Sequence, residues 1–279
     1  MELHAWLERV VESRKRAAVM GILNVTPDSF SDGGDHVDTE RLRRSVERMV
    51  IDGVDVFDIG GESTRPGSDP VSLQQELDRV IPAIELVKEL SGLPISIDTY
   101  KPQVMKEAIE CGASIINDVN ALQEDNALEI AASLDVPVCL MHKKGLPKTM
   151  QQQVEYDSVL DDVESFLMNR VNACIDAGIR QEQIMLDPGF GFGKLLTHNQ
   201  NIFQNLDRLF DSSYPLLVGV SRKKMIGELL EFSDQKTAKE RVYGSVGAAV
   251  VAAIKGAKIL RVHDVKQTVE ALKVAQALW

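Results

Sequence analysis

Cysteine is scarce in this chain: Cys111, Cys139 and Cys174 are the only three in 279 residues, and no CxxC spacing joins them. That excludes a disulfide-stapled scaffold, and buried thiols in a reducing compartment are expected. HExxH and any Cys/His cluster are missing as well, which argues against a zinc centre. So is the GxSxG elbow of a Ser/His/Asp hydrolase. No apolar run reaches the roughly 18 residues of a membrane span. The first 20 residues are charged throughout, without the apolar core of a signal peptide. A cytoplasmic protein with no membrane partner is expected. Basic charge is in deficit too, with 31 Lys and Arg against 42 Asp and Glu, a net −11. A nucleic-acid surface needs a basic stripe, so no nucleic-acid partner is expected. A few local cations can still hold one small anion. There is no repeat at a period of about 20–50 residues, no low-complexity tract and no linker to a second domain.

What the chain does have is a rhythm. Eight short apolar runs end in polar residues able to do chemistry: Asn24, Asp58, Asp98, Asn117, His142, Asp187, Ser221 and His263. The runs cover 18–23, 54–59, 94–97, 114–116, 136–141, 184–186, 216–220 and 257–262, the fourth being the weakest. They lack polar alternation, as strands covered on both faces do. Helical spacing fills the gaps. Leu42, Val46, Met49 and Val50 precede a stop at Gly53. Ser72 and Gln75 read as a capping box, with Pro82 expected to kink or divide the helix that follows. Pro102 suits a first turn, and Asp264 with Gln267 caps the last helix. Strand–helix alternation implies a parallel sheet with right-handed crossovers, and eight units favour a closed (β/α)8 barrel over an open doubly wound sheet. One domain over 1–279 is expected, with 1–17 a helical or irregular extension. In such a barrel the strand ends share one rim, where the active site lies.

The polar segments at those ends carry the chemistry. Asn24 opens a loop with Thr26, Asp28, Ser29, Asp32 and Gly33-Gly34, oxygen donors suited to a hard cation; the same composition also suits a capped surface turn. Asp58 leads into Gly60-Gly61-Glu62-Ser63-Thr64-Arg65, where Arg65 can clamp an anion or simply face water. Asp98, Asn117 and Asp187 each end a strand. Two carboxylates and an amide at one mouth match a ring bearing amino and lactam groups, although each Asp also reads as a turn former. The run from Asp187 to Lys194 is Gly-rich but misses both phosphate-loop spacings, so Phe192 reads as covering an aromatic substrate. Ser221 and Lys223 offer donors after the seventh strand. Arg261 and His263 alternate onto one face of the eighth as a two-pronged anion site, with a helix-capping His263 as the alternative.

Together these strings resemble a known family. Residues 21–34, from Gly21 through Asn24 and Asp28 to Gly34, and 58–67, with Glu62, Thr64, Arg65 and Gly67, are similar to the two signatures of the dihydropteroate synthase family. Asp98-Thr99, Asn117-Asp118-Val119, Met141-His142, 187–194, Ser221-Arg222-Lys223 and Arg261-Val262-His263-Asp264 resemble that family's further segments, from about Met20 onward. The resemblance implies a (β/α)8 barrel joining 4-aminobenzoate to a dihydropterin methyl diphosphate, with release of diphosphate, in folate synthesis. It implies that Asp98, Asn117, Asp187 and Lys223 hold the pterin, with Val119, Met141 and Gly219 in the substrate site. Asn24, Arg261 and His263 would take the diphosphate, with Mg2+ at Asn24. Thr64, Arg65, Phe192 and Ser221 would close over the pterin or bind the aminobenzoate. A homodimer is implied too. A corrinoid methyltransferase shares the barrel and the paired Asp positions but leaves the anion site without a purpose. A silent pterin-binding paralogue gives no role to Asn24, Arg65 and Lys223. A phosphosugar aldolase would want a Schiff-base Lys inside a strand.

Overall fold

The computed structural model describes residues 1–26, 35–63, 69–145, 154–209, 213–231 and 237–278, with only the backbone described over 35–38. Thr64, Arg65 and the 27–34 part of the first loop lie outside them. Eight parallel strands follow one another: β1 (Ala18–Asn24), β2 (Val56–Gly60), β3 (Ile95–Asp98), β4 (Ile115–Asp118), β5 (Val138–Met141), β6 (Ile184–Asp187), β7 (Leu217–Val218) and β8 (Ile259–Val262). Their order in the sheet is β6-β5-β4-β3-β2-β1-β8-β7. A parallel bridge between Leu186 and Leu216 brings β6 to β7 and completes the circle. This is the expected barrel. β7 is shorter than its apolar run, because Gly219 and Ser221 already belong to the rim loop.

The surrounding helices are α1 (Leu3–Arg14), α2 (Asp35–Asp52), α3 (Leu73–Ser91), α4 (Pro102–Cys111), α5 (Ala127–Leu134), α6 (Val159–Asp176), α7 (Leu196–Gln204), α8 (Lys224–Leu229), α9 (Val242–Ile254) and α10 (Val265–Leu278). The Ser72–Gln75 capping box forms, with Gln75 N donating to Ser72 Oγ at 3.3 Å and Ser72 N to Gln75 Oε1 at 3.0 Å. Pro82 does not divide α3. It is exposed, so the carbonyl one turn back that it cannot serve faces water. Pro102 opens α4 and Gly112 ends it at φ 129°, beyond the reach of a residue with a Cβ.

Two apolar layers result. The larger lies between the strands' outer faces and the helices and includes Ile59, Ile97, Ile116, Leu140 and Leu186. The smaller fills the barrel's N-terminal end, where Leu3, Trp6, Leu7 and Val10 of α1 pack on Met20, Val56, Ile115, Cys139, Met185, Leu217 and Ile259. Burying each of these α1 side chains contributes about 2 kcal/mol. α1 is therefore the floor of the barrel, and only the C-terminal rim is left for a ligand.

Candidate active site

The floor residues fix which side chains point inward. Side chains alternate along a strand, so positions two or four beyond a floor residue share its direction. Counting from Met20, Val56, Ile115, Cys139, Met185, Leu217 and Ile259 reaches Asn24, Asp58, Asn117, Val119, Met141, Asp187, Gly219, Ser221, Arg261 and His263. Asp98 joins them because Ser96, two before it, is in register with Asp58. One parity rule thus turns the expected residues at the strand ends toward one opening, while Phe192 and Lys223, also expected there, lie on the loops that follow β6 and β7. His142 has the other parity. It faces the helical shell, edge-on to Phe166 with ring centroids 5.1 Å apart.

At the centre lies an ion-pair hub. Arg261 Nε donates to Asp58 Oδ2 at 2.6 Å and Nη2 to Asp98 Oδ2 at 2.6 Å. Asn117 Nδ2 donates to both Asp58 oxygens at 3.3 Å. Asp58 is fully buried, and a buried carboxylate requires such partners. Asp98 Oδ1 is buried with no partner among the described residues. Burial pushes the Asp98 carboxyl up to about 7, against the opposing pull of Arg261 and with help from the nearby Asp58 charge. An orphaned acceptor at the rim is a place for a ligand's N–H.

The opposite wall is built from the 187–194 loop. Asp187 Oδ1 accepts from Gly189 N at 2.7 Å, and burial raises its carboxyl while Lys223 opposes this. Lys223 Nζ donates to Phe190 O at 2.6 Å and lies 4.7 Å from the centre of the Phe192 ring. Burial lowers this ammonium to about 8, with Asp187 resisting. The glycines permit close backbone contact: a Cβ on Gly189 (φ 68°) would lie 1.8 Å from His142 O. Ser221 Oγ accepts from His263 N at 3.1 Å and lies 3.1 Å from His263 Nδ1. Asp264, expected to cap α10, receives Arg222 Nε at 2.9 Å in a two-pronged pair.

Several residues went without a role in the sequence. Asp58 counted only as a strand end. Its signal was the parity it shares with Val56 and Gly60, which puts an Asp inside the barrel and calls for a cation. Glu62, Lys101 and Glu76 form a second cluster beside the rim: Lys101 Nζ contacts both carboxylates, and Tyr100 Oη donates to Glu62 at 3.1 Å. Their separation in sequence gave no sign of it.

A closed parallel barrel with carboxylates, an amide and largely buried cations converging on one mouth defines an enzyme that holds a flat, hydrogen-bonding ring together with an anionic group. A family model of pterin-binding enzymes matches residues 20–263. The chain is 49% identical over 259 residues to the dihydropteroate synthase of Escherichia coli K12, covering 93% of this chain and 90% of that one. Dihydropteroate synthase of Xanthomonas albilineans, solved with 4-aminobenzoic acid, superposes with a TM-score of 0.88 at 46% identity, over 96% of this chain and 97% of that one. The same organism's enzyme in complex with 7,8-dihydropteroate gives 0.84 at 43% identity, with the same coverage. The chain belongs to the pterin-binding enzyme family and, within it, to the dihydropteroate synthases.

Proposed function

We propose that this protein condenses (7,8-dihydropterin-6-yl)methyl diphosphate with 4-aminobenzoate, giving 7,8-dihydropteroate and diphosphate in folate synthesis. The observation that carries the reading is the orphaned Asp98 Oδ1, buried at the rim in register with Asn117 and within range of the Lys223 charge. Asp98 and Asp187 accept from the N–H edges of the ring, and Asn117 and Lys223 supply donors. Val119, Met141 and Gly219 give the ring its apolar walls. Ser221 and Phe192 border the aminobenzoate, in company with Thr64 and Arg65.

The diphosphate goes to the Asn24, Arg261 and His263 side. Asp58 and Asp98 occupy Nε and Nη2 of Arg261, leaving Nη1 for a phosphate oxygen. When the C–O bond breaks, diphosphate leaves with the electron pair. The methylene carbon then bonds to the aniline nitrogen, which gives up a proton. No protein nucleophile takes part. The site's work is to bind, orient and exclude water, which would otherwise compete with the amine.

Mg2+ fits at Asn24. A Cβ on Gly60 would lie 3.7 Å from Asn24 Oδ1 and 3.6 Å from Asp98 Oδ2, so both oxygens border the space that glycine leaves open. Among the described residues no group of three or more His, Cys, Asp or Glu could cage a metal. Mg2+ keeps several waters and takes substrate phosphate oxygens rather than a full protein cage, so the Asn24 oxygen would be one ligand among those. Bound there, it would supply positive charge to the leaving diphosphate.

A homodimer belongs to the same reading, supported by the apolar side chains that α9 leaves exposed, Tyr243 at 90% and Val251 and Ile254 at 43% each; sedimentation as a monomer would remove it. A cytoplasmic location is supported by three free thiols. The central test is diphosphate release from the dihydropterin diphosphate, with and without 4-aminobenzoate and Mg2+. Release that needs both is expected. Pterin binding with no turnover would refute the proposal.

A further inference from the structure

We propose that Lys194 is a positioning residue for the pterin end of the site, its ammonium drawing together the carbonyls of two rim loops and so fixing Asp187, Phe192 and Lys223. This rests on the pterin reading of the site and adds a residue that does not itself face the ring. Lys194 is 3% exposed and His142 4%. Its Nζ donates to Gly189 O at 2.9 Å, Phe192 O at 3.2 Å and His142 O at 3.3 Å, and lies 2.8 Å from His142 Nδ1. An ammonium only donates, so Nδ1 accepts and the ring keeps its proton on Nε2. Three hydrogens thus serve four acceptors, and every one of them belongs to the β5 or the β6 loop.

The position of those acceptors separates this role from simple core packing. Gly189 is the residue whose N–H holds the Asp187 carboxylate, at 2.7 Å. Phe192 carries the ring over which Lys223 lies, and Phe190, between the two clamped carbonyls, accepts from Lys223 at 2.6 Å. The two loops meet backbone to backbone: Cβ atoms on Gly189 and Gly193 would fall 1.8 Å from His142 O and 2.1 Å from Lys144 O. Carbonyls drawn to one point repel unless a donor lies among them, and Lys194 Nζ fills that place; burial lowers its ammonium to about 7, with Asp187 resisting, so the clamp is tightest below that pH. Asn199 completes the shelf, accepting from Gly191 N at 2.9 Å and donating to Lys194 O at 3.2 Å. Without the ammonium the shelf relaxes, and Asp187, Phe192 and Lys223 lose their common reference.

The test compares the wild-type enzyme with Lys194→Met and Lys194→Gln, the second keeping two donor hydrogens in case the first does not fold. Affinity for 6-hydroxymethylpterin is measured by calorimetry, and KM and kcat for the full reaction by diphosphate release. In folded variants, pterin affinity weaker by about tenfold and KM for the dihydropterin raised in step, with kcat within about threefold, is the expected result. A variant that only melts earlier, with pterin affinity and KM unchanged, overturns the proposal and leaves Lys194 a structural residue. A wild-type protein that binds no pterin overturns instead the functional reading on which the proposal stands.

Discussion

Arg261 donates its Nε–H to Asp58 over the intervening β1 at 2.6 Å, though 203 positions separate them in the chain. The same guanidinium reaches Asp98 through Nη2. One cation therefore balances two carboxylates that are 0% and 8% exposed. Replacing Arg261 with Ala strands both charges, and urea unfolding is expected to show a loss of about 3 kcal/mol at pH 8. The loss shrinks at lower pH, because Asp98 without its counter-cation takes up a proton and is no longer a buried charge. Arg261→Lys recovers part of it, since an ammonium cannot serve both carboxylates in fork geometry. Equal losses at high and low pH would contradict the hub.

Pterin affinity is expected to follow a bell in pH. Burial pushes Asp98 up to about 7, so below that pH the carboxylate protonates and ceases to accept freely from ring N–H groups. Burial brings Lys223 down to about 8, so above that pH its charge is lost. Binding is strongest between the two values and falls on either side. Asp98→Asn removes the acidic limb and weakens binding about 100-fold, the scale of a charged hydrogen bond in a buried site. Lys223→Met removes its own part of the alkaline limb and leaves the part due to Lys194, whose ammonium burial lowers to about 7. Calorimetry across roughly pH 5.5 to 9.5 checks both limbs, and a flat wild-type profile would sink the assignment.

Most of the barrel could be read directly. Each of the eight strands falls on an apolar run, because a strand covered on both faces has no polar alternation to confuse it. The site was legible as a set for the same reason: polar residues such as Asp98, Asn117 and Asp187 end those runs, and a closed barrel has only one rim. Who bonds whom was not legible. That Arg261 spends two prongs on Asp58 and Asp98 depends on the curvature of the barrel, which brings β2, β3 and β8 within reach of one guanidinium. His142 looked like another rim group, and only its odd–even position relative to Cys139 and Met141 sends it outward to Lys194. The roles of Thr64 and Arg65 stay with the sequence, since they lie outside the described residues.

Asn24 offers a test of the cation that leaves the pterin alone. Its carboxamide borders the space above Gly60, on the diphosphate side of the reading. Asn24→Ala is expected to raise the Mg2+ concentration needed for half-maximal diphosphate release by about tenfold, while 6-hydroxymethylpterin, which carries no phosphate, binds as before. Asn24→Asp should restore a Mg2+ response. A loss of pterin affinity in Asn24→Ala would mean that the carboxamide serves the ring instead.

Gly189 and Gly178 both have positive φ, 68° and 99°, yet Ala should affect them very differently. A Cβ at Gly178 meets nothing within 4 Å, so Gly178→Ala carries only backbone strain, about 1 kcal/mol. A Cβ at Gly189 would lie 1.8 Å from His142 O, a backbone atom with no rotamer to escape into. The β5 and β6 loops must then part, and parting them withdraws Gly189 O and His142 O from the Lys194 ammonium. Gly189→Ala is expected to cost at least about 3 kcal/mol in urea unfolding and to weaken pterin binding in whatever fraction stays folded. Gly178→Ala should leave binding untouched. Comparable melts for the two variants would mean that the loops accommodate a methyl group without moving, and the close approach would not be what holds Asp187 and Phe192 in place.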